Sequence, residues 1–233
     1  MSVVLGPGEV SVEQAWAASF LARLPVRAQE QLRASAHEEE VFAGQNLYRE
    51  LREPRFSVLI MVVNGLLRAY VTSPQGRQMV TRYWRPGELV GMTSVMRHGA
   101  PSGVDVVRQG TILRLDPLTF ERLGRSDAQV AWTIAEELAD RLIIGAEVRL
   151  PNAFGSVRVR LAWHLLELAC EVDGEQVARV TQQDLADSIG SVREVVARAL
   201  LTMSQDGLIA RKGPAVVITD PDRMRLLAQS FTE

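Results

Sequence analysis

The residues from Ser126 to Leu150, "SDAQVAWTIAEELADRLIIGAEVRL", do most to limit what this chain can fold into. They hold no proline and no glycine before Gly145, and their apolar residues follow the 3.6-residue period of a helix. Ser126 or Asp127 is placed to cap it. Ala131, Ile134, Leu138, Leu142 and Gly145 recur every three or four residues, the spacing of a parallel two-stranded coiled coil. The small Ala135, Ala139, Gly145 and Ala146 would let two backbones approach closely. The competing reading of the stripe is packing against the preceding part of the chain. We expect a dimerisation helix over 126–150 that separates two differently built regions.

The region before it, 1–125, begins with helical spacing over 11–35, where Ala15, Phe20, Leu21, Leu24 and Leu32 recur and Pro25 breaks the run. It then becomes β-rich. "SVLIMVVNGLLRAYVTSPQGRQMVTRYWRPGELVGMTSV" has short β-prone stretches punctuated by Gly65, Gly76, Gly87 and Gly91, which argues a sandwich or barrel. "SPQG" at 73–76 reads as a hairpin turn. "VDVVRQ" and "TILRLD" are expected to continue the sheet across Gly110. The region after the long helix, 151–233, opens with "PNAFGS", whose Pro, Asn and Gly predict a hinge at 151–156. "VRVRLAWHLLELACEV" predicts a helix ended by Asp173 and Gly174, with His164 and Cys170 packed into its core face. "PDRMRLLAQS" predicts a terminal helix starting near Pro221.

Composition bears mainly on what is excluded. Of 233 residues, 47% are hydrophobic and 23% charged, and the formal net charge is -2, so any nucleic-acid site must be a local patch. The single cysteine allows no internal disulfide and no cysteine-held metal cluster, and a reducing cytoplasm is the simplest setting. No apolar run approaches the roughly 20 residues of a membrane span, and the start of the chain has no secretory-signal pattern.

"TQQDLADSIGSVREVVARALLTMSQDGLIARKG", Thr181 to Gly213, carries the chemistry. Thr181 with Asp184 three residues on suggests a capped helix in which Leu185, Ala186 and Ile189 face inward. Gly190 supplies a sharp turn. Ser191 is expected to cap a second helix with Val195, Val196, Ala199, Leu200 and Met203 buried. Two helices joined by a glycine-bearing turn form a helix-turn-helix, whose second helix enters the major groove. Its outward face would carry Arg193, Glu194, Ala197, Arg198 and Leu201. Arginine can give two hydrogen bonds to guanine, and glutamate can accept one from cytosine. Arg211 and Lys212 before Gly213 suit a hairpin wing that touches phosphates. Against this stands a plain alternative: Ser191 and Glu194 form a capping box, and Glu194 with Arg198 an i, i+4 surface pair.

Taken with "VVNGLLRAYV", "GRQMV" and "RPGELVGMTSV", this stretch resembles the cyclic-AMP receptor protein and FNR family of bacterial transcription regulators over nearly everything after residue 35. The resemblance implies an α+β architecture: an N-terminal β-roll of the cyclic-nucleotide-binding type, a long dimerisation helix and a C-terminal winged helix-turn-helix. It implies base reading by Arg193, Glu194 and Arg198 in the family's Arg-Glu-x-x-x-Arg pattern. DNA contacts then extend to Thr181, Gln182, Ser191 and Lys212. It also implies a homodimer on a palindromic TGTGA-like DNA site with half-sites about 34 Å apart, and RNA polymerase as a partner.

The family pattern is not complete. Val192 and Val195 stand where serine and threonine touch phosphate, and Gln182 where a basic residue is common. In the cyclic-AMP cassette, Gly91-Met92 lacks the ribose-binding carboxylate. Pro101 and Ser102 stand at the phosphate-binding Arg-Ser, and Gly145 and Ala146 replace the adenine-binding hydroxyl pair. Burying an uncompensated phosphate costs several kcal/mol, and neither Arg97 nor Arg108 is an evident substitute. No cofactor is expected, and cyclic AMP is disfavoured. The effector is either a different small molecule or absent. A haem would need His37, His98 or Cys170 as ligand, a weak set, and no metal site is expected. The chain shows no P-loop, nucleophile elbow or dinucleotide fingerprint, so it is read as a non-enzyme. The alternative function is a ligand- or partner-binding module whose helix-turn-helix does not bind DNA.

Overall fold

The structure, a computed structural model, describes residues 10–49, 58–74, 76, 78–97, 99, 102–213 and 215–230, with only the backbone course over 144–154. The chain divides into two compact units: Met1–Val71 with Thr81–Leu142, and Ile143–Glu233 with Thr72–Val80. Among the described residues no helix is long and apolar enough to cross a membrane.

The first unit starts with α1 (Val12–Ala18), a 3-10 turn at Phe20–Arg23 and α2 (Val26–Ala34), with Pro25 standing at the break as expected. Ser11 and Gln14 close a reciprocal capping box on α1. The strands are β1 (His37–Val41), β2 (Asn46–Tyr48), β3 (Ile60–Val62), β4 (Leu66–Thr72), β5 (Gln78–Trp84) and β6 (Leu89–Val90). Helix α3 (Met92–Arg97), strands β7 (Gly103–Arg108) and β8 (Gly110–Arg114), and α4 (Pro117–Ser126) follow. The Gly76 amide closes the expected turn onto Ser73 at 2.9 Å.

Among the described residues two four-stranded sheets result, in the orders β1-β8-β3-β6 and β2-β7-β4-β5. The sequence expectation of one continuous sheet across Gly110 is therefore corrected, because β7 and β8 belong to different sheets. The chain crosses between them where Gly110 backs onto Asn64. A Cβ there would lie 2.2 Å from the Asn64 carbonyl oxygen, so only glycine fits. Strand alternation then makes two cores from one sheet. Ile60, Val62 and Ile112 join Val41, Leu67, Val104 and Val106 in the β-roll interior. Met61 and Leu113, one residue out of phase, join Trp16, Leu21, Leu32, Phe120 and Ile134 on the helix side.

Helix α5 (Ala128–Phe154) is capped by Asp127, whose Oδ1 accepts from the amides of Gln129 at 2.9 Å and Val130 at 3.2 Å. The interruption expected from Pro151 onward does not occur: α5 continues to Phe154 despite the lost donor and ring crowding of a proline near its end. The break falls at Gly155–Ser156, where the Ser156 hydroxyl accepts from Val159 and caps α6 (Val157–Leu168). The stripe on α5 also resolves differently from expectation. Ile134 is buried and Leu138 packs on the helix-side core, so these two are not free for a partner. Among the described residues of α5 the exposed apolar positions are Ala128, Ala131, Trp132, Ala135, Ala139, Leu142 and Ile143.

The second unit continues with β9 (Cys170–Val172), β10 (Glu175–Arg179), α7 (Gln182–Ser188), α8 (Arg193–Gln205), β11 (Ile209–Lys212), β12 (Ala215–Ile218) and α9 (Pro221–Gln229). Its sheet runs β11-β12-β10-β9, antiparallel throughout. Asp173 and Gly174 do not end a helix, as the sequence suggested. They form the tight turn of the β9–β10 hairpin, both with positive φ, 51° and 78°. Cys170 is accordingly a half-buried strand residue with its thiol 3.6 Å from the Val177 carbonyl. His164 is fully buried on α6, as expected.

Candidate nucleic-acid interface

Helix α7 begins at Thr181, whose hydroxyl accepts from the Asp184 amide at 3.1 Å. Leu185, Ala186 and Ile189 are buried, and Gly190 turns the chain with φ 64°. The Ser191 amide donates to Ala186 at 2.9 Å, which folds the turn back onto α7.

The cap of α8 departs from expectation. Val192, not Ser191, is the N-cap residue, and no side chain bonds the first-turn amides. The Ser191–Glu194 capping box is therefore absent, because the helix starts one residue too late for the serine to reach. Val196, Leu200 and Met203 form the buried face, while Val195 and Ala199 are only half-buried. Arg193, Glu194, Arg198 and Leu201 are exposed and Ala197 is half-buried between them. Among the described residues, no hydrogen bond or ion pair engages the side chains of Arg193, Glu194 or Arg198, so the i, i+4 pair that would explain them away does not form.

Two arginines that sequence reading missed hold this pair of helices. Arg160 Nη1 on α6 donates to the Ile189 carbonyl at the end of α7, 2.7 Å away. Arg158 Nη2 meets Asp206 Oδ2 at the end of α8, at 2.6 Å. The Arg160 cation answers an open carbonyl and the dipole of α7, whereas Arg158 pairs with the carboxylate that ends α8. The one sequence signal was their alternation with valines at the start of α6. Helices α7 and α8 are thus each tied at the C-terminal end while the outward charges of α8 stay free.

The wing forms as expected, with β11 and β12 paired and Gly213 at φ 62°. Gln182 is half-buried at the start of α7, and Thr181 and Lys212 are exposed. Lys212 is not free: its ammonium donates to both Glu175 oxygens, at 2.8 and 2.6 Å.

In the first unit, two positions that the resemblance assigned to a cyclic-nucleotide cassette, Gly91 and Met92, are tightly packed. Gly91 has φ 97°, and a Cβ there would sit 1.8 Å from the Val58 carbonyl oxygen. Met92 is 1% exposed in the helix-side core. Ser102 is half-buried before β7. Glu88 bonds Arg82 at 2.6 Å and the Arg85 amide at 2.7 Å. Arg141 of α5 bonds Glu137 at 2.8 Å and the Leu89 carbonyl at 2.7 Å, and lies 5.1 Å from the Trp84 ring centre, over whose ring Arg82 also sits at 4.1 Å. Burial pulls the Arg141 guanidinium below its ordinary pKa, and Glu137 opposes this. His98, Pro101 and the side-chain positions of Gly145 and Ala146 lie outside the described residues. His37 is exposed on β1, and the described residues contain no His, Cys, Asp and Glu group suited to a metal ion.

Comparison with known proteins agrees with both units. The Cyclic nucleotide-binding domain family matches residues 38–127, and the Crp-like helix-turn-helix domain family matches 159–227. The cAMP-activated global transcriptional regulator Vfr of Pseudomonas aeruginosa is 25% identical over 175 residues, covering 70% of this chain and 81% of that protein. A CRP/FNR-family transcriptional regulator of Thermus thermophilus shares the fold with a TM-score of 0.68 at 23% identity, over 84% of this chain and 100% of that one. The c-di-GMP-responsive global regulator CLP of Xanthomonas campestris does so with a TM-score of 0.68 at 21% identity, with the same coverage of 84% and 100%.

Proposed function

Because the chain belongs to the CRP/FNR family of DNA-binding transcription regulators, we propose that it acts as a homodimer on a palindromic, TGTGA-like site. Arg193, Glu194 and Arg198 read base edges there. The observation that carries this reading is the state of those three side chains. They stand exposed and unpaired on a helix tied at its C-terminal end by Arg158, while Arg160 ties the end of α7 beside it. An exposed charge that only served solubility would gain from the neighbour one turn away, yet Glu194 and Arg198 do not pair. The uncapped first-turn amides of α8 offer donors to a phosphate where Val192 and Val195 cannot. Thr181, Gln182, Ser191 and the wing carrying Arg211 and Lys212 lie on the phosphate side of this interface.

A second copy of the chain fits the outer face of α5. Trp132, Ala135, Ala139 and Leu142 are exposed at alternating spacings of three and four, the seam of a two-stranded coiled coil. Trp132 and Leu142 are each 69% exposed, which burial against a partner would relieve. The protein works by binding, without catalysis, and cyclic AMP is not its effector. Met92 supplies a thioether in the core instead of a carboxylate for the ribose.

Selection from a random DNA pool, with and without cyclic AMP, tests the reading. The expected product is a two-fold site enriched regardless of the nucleotide. Arg193→Ala is expected to weaken binding to that site by about 1–3 kcal/mol and relax its preference at one base pair of each half-site. Unchanged affinity and preference would refute base reading by α8.

A further inference from the structure

Building on the DNA-binding reading above, we propose that Glu175 acts as a carboxylate clamp that keeps Lys212 off the phosphate backbone. Among the described residues Arg211 is then the one wing cation without an ion pair, and DNA affinity is shifted toward the base-reading helix.

Lys212 is the single lysine of the chain. It ends β11 beside the wing turn, where a four-carbon stem would ordinarily carry its ammonium out to phosphate. The register shows it doing the reverse. Lys212 pairs with Ala215 of β12, and Ala215 pairs with Arg179 of β10, so Lys212 and Arg179 stand at one level of the sheet. Glu175 lies four residues back along β10, on the same face as Arg179. To reach both Glu175 oxygens the lysine must fold back along the sheet. Its route is a groove floored by Ala215, Val177 and Val217. The single methyl of Ala215 leaves that route open.

The groove runs on to the start of α7, where the same chemistry repeats. The Thr181 hydroxyl donates to Asp184 Oδ2 at 2.6 Å. Two donors on the phosphate side are therefore engaged by carboxylates, while the two arginines of the base-reading face are engaged by none. A phosphate can recruit Lys212 only by separating it from Glu175. That leaves a bare carboxylate beside the DNA backbone, which cancels the attraction gained. A clamped lysine also releases no counterion, so it adds nothing to the salt dependence of binding.

The test compares the wild-type chain, Glu175→Gln and the double variant Glu175→Gln/Lys212→Ala. Fluorescence anisotropy is read on a selected operator duplex and on an unrelated duplex of equal length, from roughly 50 to 200 mM salt. Freeing the lysine is expected to raise affinity for both duplexes by about two- to fivefold per bound subunit, the range of one exposed charge pair. The slope of log affinity against log salt is expected to steepen by about 0.9 per subunit. The ratio between the two duplexes should stay constant, because a phosphate contact carries no sequence information. The double variant should return to wild-type affinity and slope. If E175Q changes neither quantity, the clamp is refuted and the DNA reading stands. A gain that survives in the double variant also refutes it, since the effect would then be Glu175's own repulsion. Absence of binding by all three proteins, each folded by circular dichroism, would refute the DNA reading as well.

Discussion

Replacing Met92 by glutamate separates two accounts of the first unit. The family resemblance places a ribose-binding carboxylate at this position, so Met92→Glu looks like a restoration. The structure says the opposite: Met92 is 1% exposed and lies in the apolar core with Leu89, Val95 and Phe120. Losing the buried thioether removes about 1.5–3 kcal/mol of burial free energy. The new carboxyl must stay neutral, and a buried glutamate with a folded pKa near 8, against roughly 4.3 unfolded, costs about 4 kcal/mol at pH 7. Together about 5–7 kcal/mol is lost, enough to unfold a unit of ordinary stability. The sign of the pH dependence follows from the raised folded pKa. Between the two pKa values the folded state holds more protons, so stability falls as pH rises through that window. Urea unfolding should therefore show a deficit about 2.5 kcal/mol larger at pH 7 than at pH 5. Met92→Gln, of the same size, should be destabilised without this pH dependence. A Met92→Glu protein that loses less than about 1.5 kcal/mol and gains thermal stability from cyclic AMP would refute the placement of residue 92 in the core.

Three further outcomes follow from the same geometry. Gly91→Ala drives a methyl into the Val58 carbonyl at a φ of 97°, and a loss above about 3 kcal/mol is expected by thermal unfolding. Arg141→Met strips the Leu89 carbonyl of its donor and leaves Glu137 only the surface partner Arg23; about 1.5–3 kcal/mol should be lost in urea, with a shift in tryptophan emission as one of the two cations beside Trp84 leaves. Arg160→Ala removes the donor to Ile189, which should cost about 1.5–3 kcal/mol and weaken operator binding while Arg193, Glu194 and Arg198 remain in place.

Legibility in the sequence differed with the range of the interaction that decided each feature. Thr181, Gly190, Pro25 and Pro221 act on their own backbone or on amides one turn away, and each marks the boundary it was expected to mark. The outward placement of Arg193, Glu194 and Arg198 followed from the period of α8 alone. Where the reading slipped, a competing local signal was available. The dipeptide Asp173-Gly174 is a strong hairpin signal, yet the apolar run "LLELACEV" continued the helical pattern across it and hid β9. Ser191 and Glu194 have capping-box spacing, but the box also needs Ser191 at the N-cap, and the turn from Gly190 gives that position to Val192. Arg158 and Arg160 were illegible for another reason: their partners, Asp206 and Ile189, lie 48 and 29 residues away.

The helix α5 shows why periodicity cannot choose between surfaces. Ala131, Ile134, Leu138 and Leu142 fit one heptad-like stripe, and so do Trp132, Ala135, Ala139 and Leu142. The sequence expectation took the bulkier set as the partner-facing seam. Bulk pointed the wrong way, because Ile134 and Leu138 are the residues large enough to fill the gap beside Phe120 and Leu123 in the unit's own core. The alanines of the other stripe bury little within one chain but permit close approach of two. Their exposed neighbours Trp132 and Leu142 would then supply the apolar area. On this argument Ala135→Glu with Ala139→Glu should dissociate a dimer in sedimentation while leaving the unit folded. Ile134→Ala should instead cost about 2–5 kcal/mol of stability with the assembly intact. If the two effects exchange places, the stripe that the structure buries is the one that a partner covers.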